Sequence, residues 1–196
     1  MSSSSAFVGI HLSTARKPLT FALLDQDLSL IQVADGQIEE IGTVLSEPES
    51  AIVCVIPRAK PTSTKFAKIF SIFQKQLAEL SFQPYSATSA ARLWFQSHAD
   101  EAFRALLQHK LFSRRTLEGR IQRALILYDQ GLQIDDPMEF FEEITRYKLM
   151  QGILPLEIIH SANELDALAG AYLAWMTANR SQQIRVRGDL ILPVQG

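Results

Sequence analysis

Cysteine is almost missing from this chain: Cys54 is the only one in 196 residues. The sequence therefore holds neither a disulfide framework nor a thiolate metal cluster. Cys54 sits in the apolar run Ala51–Ile56, the setting of a buried, inert thiol. Long hydrophobic runs are also lacking, and no stretch approaches the roughly 20 apolar residues of a membrane-spanning helix. Neither sign of charge dominates, because 19 Lys and Arg stand against 21 Asp and Glu, a net charge of -2 with a pI near 6.1. That balance predicts no strong sequence-independent attraction to nucleic acid, although a local basic face would not show in the total. Met1 to Ser5 has neither the basic start nor the apolar core of a signal peptide, so a cytoplasmic location without membrane association is expected. Gly9, Gly36 and Gly42 form no phosphate-binding loop.

What is present reads as an ordinary globular protein, 47% hydrophobic and 20% charged. The length fits a single domain over residues 1–196, with a helical insertion or extension at roughly 87–152. Three strand-like segments come first, Ala6–Leu12, Leu19–Asp25 and Leu28–Val33. Their short links, carrying Lys17-Pro18 and Asp25-Gln26-Asp27, fit only antiparallel neighbours. Gln37–Leu45 reads as a short helix, with Ile38, Ile41 and Leu45 on one face. Ala51–Ile56 suits a strand covered on both faces, stopped by Pro57 and Pro61. Thr64–Leu80 repeats phenylalanine at helical spacing, and a brief extended piece follows at Ser81–Tyr85.

From there the pattern is nearly all helical: Ala87–Gln108, Thr116–Tyr128, and a helix opened by Asp136-Pro137-Met138-Glu139 that runs to about Met150 and stops at Gly152. Ser161-Ala162-Asn163-Glu164 is a capping box that opens the last helix, through about Ala178. An extended pair, Ile184–Arg187 and Leu190–Val194, turns at Gly188-Asp189. Antiparallel strands followed by crossovers imply a mixed sheet with helices on both faces.

The run Thr116-Leu117-Glu118-Gly119-Arg120-Ile121-Gln122-Arg123 carries a more specific signal. So do the string from Asp136 to Arg146, Glu164-Leu165-Asp166-Ala167-Leu168, and Ala171-Tyr172-Leu173-Ala174-Trp175. Together they resemble a domain-of-unknown-function family of predicted RNase H-like nucleases. Phe7-Val8-Gly9-Ile10 and Ile191-Leu192-Pro193-Val194 are similar to its terminal strands. The resemblance implies a ribonuclease H-like fold, α/β with three antiparallel strands followed by parallel ones and a helix-rich C-terminal half. It implies fold more directly than function.

Nucleases of this class hold Mg²⁺ or Mn²⁺ with several convergent carboxylates, since hard ions need oxygen ligands. The first-strand acid of the family pattern falls on His11 within Gly9-Ile10-His11-Leu12-Ser13, and imidazole is a poor Mg²⁺ ligand. The fourth-strand position falls on Val55, which cannot bind metal, and the fifth-strand position on Ser81, three residues before Pro84. Asp166 keeps the acid of the last helix. Glu143 is a further carboxylate that could join Asp166, and an ion-pair role on its own helix explains it as well. Glu164 is explained by the capping box and Glu142 by a pair with Arg146, four residues on.

Arg120 and Arg123 stand three apart and could clamp a phosphate or nucleic-acid backbone; pairing with Glu142, Glu143 or Asp166 across a helix interface explains them equally. Arg114 and Arg115 precede them and could extend a basic strip. His98 and His109 read as solvated residues flanking a helix, and Trp94 and Trp175 as core.

Two functions follow from this pattern. One is a non-catalytic, degenerate ribonuclease H-like module, free of cofactors, that binds nucleic acid or a partner protein. The other is a metal-dependent nuclease with a rearranged site of Asp166, His11 and Glu143, in which Asp166 holds Mg²⁺ or Mn²⁺. Three of four expected ligand positions are substituted, one by a hydrocarbon, and this favours the first.

Overall fold

The computed structural model of the protein describes residues 5–58, 63–85, 90–187 and 190–194. Pro61 as a strand stop, Ala87 as a helix start and Gly188-Asp189 as a turn lie outside the described residues. The chain is an α/β fold built on one mixed sheet of eight strands. Strand β1 (Ser5–Leu12) pairs antiparallel with β2 (Leu19–Leu24), which pairs antiparallel with β3 (Leu30–Gly36). Helix α1 (Ile38–Ser46) crosses to β4 (Ser50–Pro57), which lies parallel to the other edge of β1. Helix α2 (Thr64–Glu79), the two-residue strand β5 (Gln83–Pro84) and β6 (Arg92–Gln96) follow, and β6 runs parallel to β4.

Helices α3 (Ala99–Leu107), α4 (Leu117–Asp129), α5 (Glu139–Glu142), α6 (Arg146–Met150) and α7 (Ala162–Asn179) come next. The hairpin of β7 (Ile184–Arg187) and β8 (Leu190–Pro193) then joins β6 through β8. The order across the sheet is β3-β2-β1-β4-β6-β8-β7, with β5 beside β6.

Alternation of side chains sorts the sheet into two cores. Val8 and Ile10 of β1, with Val53 and Val55 of β4, pack beneath α1 and α2 through Ile41, Leu45, Phe73 and Leu77. Phe7 of β1, with Cys54 and Ile56 of β4, faces the opposite layer, where α7 supplies Leu165, Leu168, Tyr172 and Met176. Both central strands are almost entirely apolar because both of their faces are covered, His11 of β1 being the exception within them. Helix α7 is apolar around most of its circumference for the same reason, since α3 and α4 cover the side that the sheet does not.

A direct backbone approach joins β1 to α7. A Cβ at Gly9 would lie 1.8 Å from the Ala167 carbonyl oxygen and 2.2 Å from the Ala171 nitrogen. One at Gly170 would meet the Gly9 Cα at 3.0 Å. Only glycine at both positions lets the helix backbone rest directly on the strand.

Two expectations are corrected. Ala87–Gln108 is not one helix: Arg92–Gln96 is a strand and the helix begins at Ala99. Leu93, Trp94 and Phe95 fit a pleated surface as well as a helical stripe, and the open edge of β4 decides between them. Trp94 accordingly packs from a strand, edge-on to Phe70 of α2. The helix expected from Asp136 to Met150 is broken after Glu142. Phe140 and Ile144 both pack on the small cluster of Ile121 and Ile159. The Thr145 hydroxyl then accepts the Lys148 N–H at 3.1 Å, starting a separate turn of helix.

Candidate functional site

The glycine contact between β1 and α7 also builds a polar cluster. Two residues beyond Gly9 along the strand stands His11, and four residues before Gly170 along the helix stands Asp166. Two strand residues advance about 6.8 Å and four helix residues about 6 Å, and both spacings return to the same face. The pair that meets at glycine is therefore followed, at the C-terminal end of β1, by a pair of side chains in contact. His11 Nδ1 lies 3.2 Å from Asp166 Oδ2, with the two side chains 1% and 6% exposed. The ring lacks the alignment of a hydrogen bond; among the described residues, both imidazole nitrogens and Asp166 Oδ1 have no hydrogen-bond partner.

The partner that does hold Asp166 comes from the loop between α3 and α4. One terminal nitrogen of Arg114 donates to Asp166 Oδ2, to the Ala162 carbonyl at 2.9 Å and to Asn163 Oδ1 at 3.3 Å. The guanidinium thus reads the whole first turn of α7 and neutralises its carboxylate. Above the pair lies a cleft of about 160 Å³, lined by Ile56, Arg58, His98, Asp100, Arg114 and Asp166 among others.

Across the sheet, the register places Thr20 of β2 beside His11 on one side and Ile56 of β4 on the other. The Thr20 hydroxyl donates to Asp35 of β3 at 2.5 Å. Ile56, not Val55, is the β4 residue next to His11; the Val55 side chain points to the opposite core beneath α2. Either way, β4 offers hydrocarbon.

The other candidate residues lie elsewhere. Ser81 occupies a left-handed turn after α2, with φ 64, and is on no strand. Glu143 is exposed, does not line the cleft, and pairs with Lys148 at 2.9 Å, which lowers its carboxyl pKa from the ordinary value. Arg120 is committed to the backbone: its Nε donates to the His160 carbonyl at 2.8 Å and a terminal nitrogen donates to the Ile159 carbonyl. Arg123 is 2% exposed and donates to the carbonyls of Phe112 and Gly119 and to Asp100 at 2.8 Å, with its guanidinium over the Phe103 ring. Neither arginine presents a free fork to solvent, and neither pairs with Glu142, Glu143 or Asp166.

Glu164 closes the capping box of α7, accepting the Ser161 N–H at 2.6 Å. Its carboxyl is held down at about 2, chiefly by the neighbouring His160 ring, with burial opposing and Ser161 assisting. Cys54 is fully buried, and desolvation pushes its thiol well above the ordinary range, as an inert core sulfur requires.

Arg114 and His98 are the residues that the sequence pattern passed over as participants. The sequence places Arg114 only in a basic strip, because its partner lies 52 positions away. His98 reads from sequence as solvated; it follows β6, precedes α3 and is half-buried at the rim of the cleft.

A hard divalent ion does not fit this donor set. The cleft's two carboxylates, Asp166 and Asp100, are each already paired with a guanidinium, and Asp166 stands beside an imidazole and an isoleucine side chain. Among the described residues, no three His, Cys, Asp or Glu side chains converge as a ligand group. No family model matches the chain, and no curated protein matches it.

Proposed function

We propose that the protein is a ribonuclease H-like scaffold whose metal-dependent nuclease site has been dismantled, and that it works as a binding module for nucleic acid or a partner protein. The sheet supports the scaffold reading, with its three antiparallel strands, its parallel strands and helices on both faces. The observation that carries the loss of catalysis is the state of Asp166. Its Oδ2 is bonded to Arg114, which supplies inside the protein the positive charge that an ion would otherwise bring. A divalent cation would have to displace that guanidinium and would then find imidazole and hydrocarbon where oxygen ligands are needed.

The nuclease reading keeps one observation in its favour: among the described residues, Asp166 Oδ1 and both nitrogens of His11 are buried without hydrogen-bond partners. The test is direct. Isothermal titration with Mn²⁺, and cleavage of labelled single- and double-stranded DNA and RNA with Mn²⁺ or Mg²⁺, should show neither binding nor turnover. Metal-dependent cleavage abolished by Asp166→Ala would replace this reading with the nuclease.

A further inference from the structure

A second groove lies away from Asp166 and shares no lining residue with its cleft. It measures about 470 Å³ and lies between α3 and the β7–β8 hairpin. Its floor is apolar, with Ala105, Leu192, Pro193 and Val194. Arg104 of α3 and Arg185 of β7 line it together with Glu101. Among the described residues, neither arginine side chain makes a hydrogen bond or an ion pair, in contrast to those of Arg114, Arg120 and Arg123. The side chain of Arg187, two residues further along β7, is likewise exposed and without a partner among the described residues.

β7 is the last strand of the sheet and pairs on one side only. The Val194 N–H donates to the Gln183 carbonyl at 2.8 Å. Alternation of the antiparallel ladder then makes Arg185–Leu192 and Arg187–Leu190 the hydrogen-bonded pairs. Pro193, which has no N–H, falls opposite Ile184 in a non-bonded pair, as that register requires. The N–H and C=O of Val186 consequently point outward from β8, toward the open edge.

We infer that this edge and groove bind an extended acidic peptide segment of a partner protein, added to the sheet beside β7. Main-chain bonds at Val186 would give the pairing, the apolar floor would take a side chain, and Arg104, Arg185 and Arg187 would take carboxylates. Charged side chains also guard short edge strands against pairing. Guarding accounts for Arg185 and Arg187 but not for Arg104, which comes from a different element and faces the same groove. The inference rests on the groove and the β7 edge and is independent of the ribonuclease H-like reading.

Fluorescence anisotropy with a labelled peptide of alternating Glu and Val tests it on the full chain. The acidic peptide should bind at least tenfold more tightly than its Lys–Val counterpart, with affinity falling as salt is raised. Arg104→Glu and Arg185→Glu should each weaken it at least tenfold. Val186→Pro removes only an outward N–H, which an edge strand tolerates, and should also weaken binding at least tenfold while leaving the far-UV spectrum unchanged. Equal affinity for both peptides overturns the inference. So does an affinity unaffected by Val186→Pro and lost to millimolar phosphate, which would mark a site for small anions instead.

Discussion

Replacing Arg114 by methionine keeps an apolar stem of similar length while removing the guanidinium from Asp166. The carboxylate, 6% exposed in the intact pair, would then be left with only an unaligned imidazole beside it. Removing one partner of a buried ion pair typically costs about 3–5 kcal/mol. Arg114 is itself 20% exposed, so solvent screening puts the expected loss at the lower end, about 3 kcal/mol. For a chain of this length that corresponds to a fall in Tm of about 7 °C. Removing both charges should recover most of it: Arg114→Met combined with Asp166→Leu should lie within about 1 kcal/mol of the parent, since a buried pair and a packed hydrocarbon are near equals. Urea unfolding of the two single variants and the double variant closes a mutant cycle. A loss below about 1 kcal/mol for Arg114→Met, or additive single effects, would refute the view that the guanidinium replaces an ion as the counter-charge of Asp166.

The other expected outcomes follow from the same geometry. Gly9→Ala should destabilise by about 3 kcal/mol or prevent folding, because its Cβ would overlap the α7 backbone; Gly170→Ala, whose contacts begin at 3.0 Å, should lose clearly less in the same urea titration. Arg123→Met should lower the unfolding midpoint, while Arg120→Ala should leave any affinity for nucleic acid unchanged in a gel-shift assay, because both side chains are spent on the protein itself. Glu164 titrates below its usual range, at about 2. A depressed carboxyl stabilises the fold above its unfolded pKa and loses that contribution as pH falls through the folded one. The wild type should therefore lose stability between pH 4.5 and about 2, and Glu164→Gln should flatten that slope in acid-dependent melting.

Periodicity made most of the architecture legible. The alternating and all-apolar runs around His11 and Cys54 are strands, and the capping box at Ser161 opens α7 where expected. The sequence pattern failed where a distant partner decides the local structure. Arg92–Gln96 pairs with an edge 41 residues earlier in register, Ala51 with Arg92, and its own lettering suits either state. Asp166 stood out as the surviving acid, but its true neighbour, Arg114, is brought to it by the loop after α3. No periodicity reports such a loop. The string places Val55 at the site, but a one-residue change of register in a strand reverses the face, and the pairing puts Ile56 there instead.

The glycine-to-glycine seat of α7 on β1 also bears on the order in which the molecule assembles. The central strand is synthesised well before the helix that covers one of its faces. Trp175 and Gln26, bonded across this layer, are 149 positions apart. Until residues near Asn179 have been made, the Phe7 and His11 face of the sheet has no roof, so the first strands can collapse only against α1 and α2. Such long-range closure slows folding and leaves an apolar face open to aggregation in the meantime. Nascent chains halted before α7 should be held by chaperones and digested readily, and protection should arrive in one late step.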